Sequence, residues 1–340
     1  MKMSEIGEKK FLQNILPSLF VSENFLNGFG HDISILDLGL EKFITFKIDR
    51  ASKPVTITNN WTSDWSIWGR LGVIANLSDH AAAGSLPKAA MVSIITPRAT
   101  DVLNIEQIIL GCQQACIENG ISFVGGDTKE GQNTEVIVST VGTSNFNSKI
   151  QNAHDGDFLL ISGLLGGFLA ANLIMLNQNS FAKEQIDQAF FLLSNPSVQS
   201  KNSQILYDEG IVYSATDLSD GLVDALNSFC TNQIGFNLDI ELIKFHPLAI
   251  LVHKKLGVQL IDLALSAGDW AIAYVVKKDE LDKIPNLDNL YRVGEFNNSG
   301  TIKFFEKNGF AKNLPSKINE QFINRLEDQE GYLPDHHFKI

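Results

Sequence analysis

Two domains of mixed α and β structure are what the sequence predicts, and three observations carry that expectation. The chain has 340 residues, 44% hydrophobic and 19% charged, which is enough apolar material for two cores rather than one. Helix-like and strand-like runs are intermixed without a strict βαβ repeat, favouring α+β over a doubly wound parallel sheet. The composition shifts at "NAHDGDFLLISG" (152–163), which divides the chain into an N-terminal unit, 1–150, and a C-terminal unit, 151–340.

The elements follow in order. The opening segment reads as a helix with apolar positions at Phe11, Ile15, Leu16 and Leu19, ending between Pro17 and Ser22. Strand-like runs follow at "ISILDL" (33–38) and "FITFKI" (43–48). "SKPVTITNNWTSDW" (52–65) is polar and turn-rich, and reads as a loop. "WSIWGRLGVIANLSDHAAAG" (65–84) has helical spacing and stops at Gly84. A strand at "AAMVSIITP" (89–97), a helix from 102 stopped by Gly120, a buried strand at "ISFVGG" (121–126) and a strand at "TEVIVSTVGTS" (134–144) complete the first unit. In the second unit, "DFLLISG" is a strand, "GGFLAANLIMLNQ" a helix, and the chain stays helical to about residue 209. "IVYSATDLSDGLVDALNSFC" (211–230) is a strand running into a helix, and later strands are expected at "FNLDIE", "WAIAYVV", "LYRVGEF" and "TIKFFE".

Charge and cysteine usage exclude some functions. Lys and Arg number 27 against 39 Asp and Glu, a formal net charge of −12, so the chain would repel nucleic-acid backbones and anionic membranes. Phosphates handled by such a chain need a divalent cation beside them. Cys112, Cys116 and Cys230 form neither a disulfide framework nor a four-ligand zinc pattern; the first two share a helix face and read as small buried residues. The N-terminus lacks an apolar signal core and no apolar run reaches membrane-spanning length, so a cytoplasmic setting is expected.

The informative residues are aspartates at element boundaries. Asp49 ends "FITFKID", Asp79 lies in the small-residue helix "NLSDHAAAG", Asp127 follows two glycines in "VGGDTKEG", Asp217 and Asp220 lie in "ATDLSDGL", and Asp32 lies in "GFGHDISIL". Each has an ordinary alternative duty. Ser219 or Asp220 could cap the helix beginning near Leu222, and a strand-ending turn would account for "GGDT". For Asp79 that alternative is weaker, because a carboxylate amid Ala and Leu costs free energy unless paired or metal-bound. Together they describe hard oxygen ligands at one end of a sheet, the kind magnesium takes with substrate phosphates. No "GxxxxGK[ST]" loop and no kinase "HRD" or "DFG" set is present. "GLLGGFLAAN" (163–172) could offer backbone N–H groups to an anion, or simply be a tight strand–helix turn.

Taken in order, "GHDISIL", "NLSDHAAAGSLPKAA", "FVGGDTKEG", "DGDFLLISGLLGG", "NPSVQSKNSQIL", "YSATDLSDGLVDAL", "LALSAGDWAIAYVV" and "GYLPDHHF" resemble the thiamine-monophosphate kinase family. That family sits in the superfamily of aminoimidazole ribonucleotide synthetase, selenophosphate synthetase and the hydrogenase-maturation dehydratase. The resemblance implies an α/β N-terminal domain built on a mixed sheet with helices, dimerising through that sheet, and an α+β C-terminal domain. It implies an ATP- and magnesium-dependent phosphotransferase acting on a small phosphate-bearing substrate, with thiamine phosphate the family's acceptor. Carried over by motif, Asp32, Asp49, Asp79, Asp127 and Asp220 hold the magnesium ions, with Asp127 and Asp220 as the catalytic candidates. Gly125, Gly126 and Thr128 shape a phosphate turn, Asp217 and Ser219 lie beside the nucleotide, and His31, Trp61, Asp269 and Trp270 are candidate acceptor contacts. The selenophosphate branch needs a reactive residue near the N-terminus, where this chain has no Cys before Cys112; the dehydratase branch needs a C-terminal Cys, where this chain ends "HHFKI".

The chain departs from that pattern in four places. His31 stands where the family has the first of paired acids. "FKIDR" replaces a threonine-rich strand end, keeping Asp49 but placing Lys47 and Arg50 beside it. The acceptor loop is longer and rich in Trp (Trp61, Trp65, Trp68), with Leu71 where a Lys is expected. "SAGDWAIAYVV" keeps Asp269 and an aromatic residue but loses a Glu. The nucleotide half is retained and the acceptor half rebuilt, so a changed acceptor, an ATP-dependent synthetase or cyclase, and a catalytically silent nucleotide-binding homologue stand as alternatives.

Overall fold

In the first sheet, period-two alternation decides which side chains face inward. The computed structural model describes residues 2–305 and 311–313; the "GYLPDHHF" motif at 331–338 and the C-terminal end lie outside them. In chain order the elements are α1 (Met3–Ile15), β1 (Ser34–Leu36), β2 (Phe43–Ala51), α2 (Val55–Thr58), α3 (Ser66–Ala82), β3 (Leu86–Thr96), α4 (Val102–Glu118), β4 (Ser122–Glu130) and β5 (Glu135–Ser144). They continue as β6 (Phe158–Ser162), α5 (Gly167–Leu176), α6 (Lys183–Ser194), α7 (Ser200–Asp208), β7 (Val212–Asp217), α8 (Leu222–Phe229), β8 (Gly235–Asp239), α9 (Pro247–Leu256), α10 (Leu260–Ala264), β9 (Ile272–Val276), β10 (Leu290–Asn297), β11 (Ile302–Phe305) and β12 (Ala311–Asn313).

Two mixed sheets result. The first runs β1-β2-β5-β3-β4, with β3 and β4 parallel and its other pairs antiparallel. The second runs β12-β11-β8-β10-β6-β9-β7, with β8 and β11 parallel. Val92, Ile94, Val136 and Val138 of the first sheet bury their inner faces against Val73, Ile74 and Leu77 of α3 and against α4. Its outer face leaves Phe46, Ile48, Met91 and Val124 exposed. The second sheet packs α8 on one face through Leu222, Val223 and Leu226. On the other, Leu160, Ile272 and Tyr274 meet Leu206 and Tyr207 of α7 with Ala81 and Ala82 of α3. Helix α3 therefore lies between the two sheets, tied to α7 by the Tyr207 hydroxyl donating to the Ala82 carbonyl (2.6 Å).

Helices α3 and α4 touch backbone to backbone. A Cβ on Gly69 would stand 1.9 Å from the Ile108 carbonyl oxygen, and one on Gly111 2.0 Å from that of Ser66. Gly69→Ala is therefore expected to destabilise the fold by about 1–3 kcal/mol, the usual cost of overpacking, read as a lower denaturation midpoint in urea. Cys112 and Cys116 are buried in this contact, with both thiols pushed up by burial, to about 12 and about 11. That agrees with their reading as small core residues.

Three local expectations are corrected. "ISFVGG" is not a buried strand: β4 is the exposed edge of its sheet and continues to Glu130. The loop after β2 contains α2, whose Thr56 and Ile57 are buried. The helical stretch after α5 is broken at 195–199, between α6 and α7. Among the described residues, no helix is long and apolar enough to cross a membrane.

Candidate active site at the seam between the sheets

Alternation along β2 builds one wall of the site. Thr45, Lys47, Asp49 and Ala51 point inward, whereas Phe46, Ile48 and Arg50 point outward and are exposed. Helix α3 crosses this inner face and presents Asp79, 6% exposed. From the other sheet, β7 ends on Asp217, and the turn into α8 brings Ser219 and Asp220. Asp32 enters just before β1, its Oδ1 accepting from the Thr216 hydroxyl (3.2 Å). These residues line a cleft of about 570 Å³ with Asp224, Lys9 and Trp270. Asp32, Asp49, Asp79, Asp217, Ser219 and Asp220 are thus brought together from elements far apart in the chain.

The electrostatics are those of crowded carboxylates. Lys47 Nζ lies 2.9 Å from Asp79 Oδ2 and 3.4 Å from Asp49 Oδ2. Burial, then the neighbouring Asp217, pushes the Asp32 carboxyl up to about 7 despite Lys47 and the Thr216 hydrogen bond. Burial, then Asp217, raises Asp79 well above the ordinary carboxylate range. Asp217 is raised by burial against the Ser219 hydroxyl, which donates to its Oδ1 (2.8 Å), and against Lys47. Burial alone would lower Lys47, but Asp79 and Asp49 outweigh it and hold the ammonium above the ordinary lysine range. Two further cations line the cleft: Lys9 pairs with Asp224 within it (2.5 Å), and Arg50 pairs with Glu135 (2.9 Å). Among the described residues, no three His, Cys, Asp or Glu side chains already converge as a metal cluster.

Ser219 does not cap α8: Gly221 occupies the position before that helix, and the Ser219 hydroxyl turns back to Asp217. Asp224, which sequence reasoning missed, lies in the first turn of α8 and lines the same cleft as Asp220.

A second cavity, about 240 Å³, shares Leu71 and Trp270 with the cleft and is lined by Phe168, Leu192, His246 and Asp269. Trp270 stands between the two with its backbone at φ +53°, a left-handed conformation that costs a non-glycine residue about 1–2 kcal/mol. Asp269 accepts from the Gly166 N–H (2.6 Å) and the Phe168 N–H (2.8 Å), and burial pushes its carboxyl up to about 7. The anion at the "GLLGGFLAAN" turn is thus the chain's own carboxylate.

The remaining expected residues lie elsewhere. His31 is half-buried and accepts the Ile150 N–H at Nδ1 (3.0 Å), and burial followed by Lys149 lowers its ring. Trp61 packs against a core cluster with Leu169 and Phe181. Trp68 is buried, its indole N–H donating to the Ala51 carbonyl (3.0 Å), with Trp65 tilted against it. Gly125, Gly126, Asp127 and Thr128 sit on exposed β4. There Gly125 takes φ +115°, and a Cβ on Gly126 would meet the Val92 carbonyl oxygen at 1.8 Å, so the glycines form a bulge against β3. Asp127 shares a row with Ser93, Ile137 and Arg50. It therefore faces outward, three strand spacings or roughly 14 Å from β2. The single chain does not bring Asp127 into its own cleft.

Comparison with known proteins agrees with this architecture. Residues 30–144 match the AIR synthase related protein, N-terminal domain, family. A thiamine-monophosphate kinase of Buchnera aphidicola subsp. Acyrthosiphon pisum (strain APS) is 24% identical over 265 residues, covering 77% of this chain and 80% of that protein. The solved structure of AaThiL complexed with AMPPCP and TMP superposes with a TM-score of 0.78 at 20% identity, over 93% of this chain and 97% of that one. The HypE–HypF complex gives a TM-score of 0.65 at 18% identity, over 90% and 99%.

Proposed function

We propose, on the premise that the chain belongs to the AIR synthase superfamily, that its cleft transfers a phosphoryl group from ATP to a small phosphate-bearing acceptor, thiamine monophosphate foremost. The observation that carries this reading is the convergence of Asp32, Asp49, Asp79, Asp217 and Asp220 from both sheets on one cleft beside a second, more apolar cavity. The relatives named for thiamine-monophosphate kinase activity, and the AaThiL structure with AMPPCP and TMP, support the same choice.

The donor set fits magnesium: hard carboxylate oxygens, raised by burial and then by one another, and outnumbering the cations beside them. Asp32, Asp49, Asp79 and Asp220 would hold the metal, which when bound neutralises phosphate charge. Phosphoryl transfer is mostly positioning and charge neutralisation. The acceptor is itself a phosphate oxygen, already ionised, so no strong general base is required. Asp217 and Ser219 stand beside the nucleotide, and Trp270 and Asp269 shape the acceptor side.

The outer face of the first sheet, with Phe46, Ile48, Met91 and Val124 exposed, supports dimerisation through that sheet. Asp127 and its glycines lie on the same strand system and would serve a site only through a second copy. The gap between the first sheet, ending at Ser144, and the second, beginning at Phe158, supports domains 1–150 and 151–340. His31 serves the junction at Ile150 in this reading rather than the acceptor.

Titration calorimetry of ATP with and without magnesium tests the first half; binding that ignores magnesium overturns it. Thiamine diphosphate formation from thiamine monophosphate tests the second. Mass spectrometry of the product separates phosphorylation from the dehydration or condensation that the HypE likeness keeps in view.

A pH dependence follows. Asp32 and Asp269 titrate near 7 in the fold and below 4 when unfolded, so between those values the native state binds more protons. Stability of the metal-free protein therefore falls as pH rises from about 4 to 7. The melting temperature in EDTA should be higher at pH 5 than at pH 8. Magnesium with ATP should raise it most at pH 8, where the carboxylates no longer compete with protons. A melting temperature that rises with pH in EDTA counts against the crowded-carboxylate account.

A further inference from the structure

Lys47 stands out among the cleft residues because its place is already a cation's place. It projects from the inner face of β2, its side chain 18% exposed, and its ammonium lies 2.9 Å from Asp79 and 3.4 Å from Asp49, with Asp32 also within its field. Lys9 and Arg50 have carboxylate partners of their own in Asp224 and Glu135. A lysine is rarely buried unless paired, and here two carboxylates on different elements pair it. An ammonium lodged between those two oxygens excludes a divalent ion from bridging them, since magnesium would need both at about 2.0–2.1 Å.

We propose that Lys47 is a built-in cation of the site: it takes the position between Asp79 and Asp49 that a divalent ion would otherwise bridge. The site therefore works with one divalent ion fewer per chain than its carboxylates could hold. An ammonium carries three N–H donors. Ion pairs to Asp79 and Asp49 hold it in place, and its remaining donor capacity would serve a phosphate oxygen, for which lysine is a common partner. A fixed single charge replaces a mobile double one, which makes that part of the site independent of metal supply. The inference rests on the metal–nucleotide reading of the cleft.

The test counts manganese ions bound by the full chain, by electron paramagnetic resonance, with and without a non-hydrolysable ATP analogue. Lys47→Met keeps the length of the stem and removes the charge; Lys47→Arg keeps the charge. The expected result is one additional manganese per chain in Lys47→Met at saturation, with wild type and Lys47→Arg alike. Thermal melts should show a larger manganese-induced stabilisation for Lys47→Met than for wild type. If Lys47→Met is unfolded in EDTA, manganese should restore its fold; a variant that stays unfolded at saturating manganese overturns the proposal, because the lysine then does something no metal ion can replace. Equal ion counts in wild type and a folded Lys47→Met also overturn it while leaving the metal–nucleotide reading intact. Wild-type protein that binds no manganese with or without the analogue overturns both.

Discussion

Asp79→Asn is expected to lower turnover by about a hundred- to a thousandfold, the range for losing one preorganised electrostatic group at a reacting centre, while the protein still folds. Asn matches Asp in volume, so packing under α3 is preserved. What changes is charge: Asp79 is the deepest carboxylate in the cleft and the nearer partner of Lys47. With a neutral amide there, Lys47 faces Asp49 alone and one hard ligand is gone. The loss should fall on turnover and metal dependence together, and circular dichroism should match wild type. Stability is predicted to change little or even improve in EDTA, because Asp79 is raised far above its unfolded value and its ionised form is costly in the fold. Turnover within threefold of wild type would remove Asp79 from the metal set.

Asp127→Asn is expected to cost about ten- to a hundredfold, although in the single chain this residue lies on the far face of the sheet from the cleft. The two variants together separate the possibilities. If Asp127 reaches a site only in a dimer, mixing inactive Asp79→Asn with inactive Asp127→Asn and letting the chains re-pair should restore activity. About half of randomly paired dimers are mixed, and each mixed dimer has one of its two sites intact, so about a quarter of wild-type turnover should return. A mixture that stays inactive, from chains shown to exchange, would confine Asp127 to another role.

The legible part of the fold was what periodicity encodes. The 3.6-residue spacing of α3 and α4 and the alternation in β2 and β5 announced those elements, with Gly84 and Gly120 as their stops. The "ISFVGG" run was misjudged because an apolar strand reads the same whether it is buried or waits at an exposed edge. Helix α2 hid in a polar stretch too short to show a period. Within the site, the aspartates on strand ends and in α3 were legible because a carboxylate amid small apolar residues demands a reason. Lys47 and Asp224 were harder, since their meaning depends on what crosses from the other sheet. His31 looked like a substituted ligand from its place in "GHDISIL", yet its ring is taken by the Ile150 N–H, a contact 119 residues away. The "GLLGGFLAAN" turn looked ready for a phosphate, and only the fold reveals that Asp269, 101 residues on from Phe168, accepts its N–H groups.

Trp270 gives the molecule a party wall. Trp270, with Leu71, lines both the carboxylate cleft and the neighbouring cavity, on a backbone held at φ +53°. A ligand that displaced Trp270 from one side would alter the room on the other. An occupant of the smaller chamber that touches this shared wall would be linked to an occupant of the larger one by the same amount in both directions.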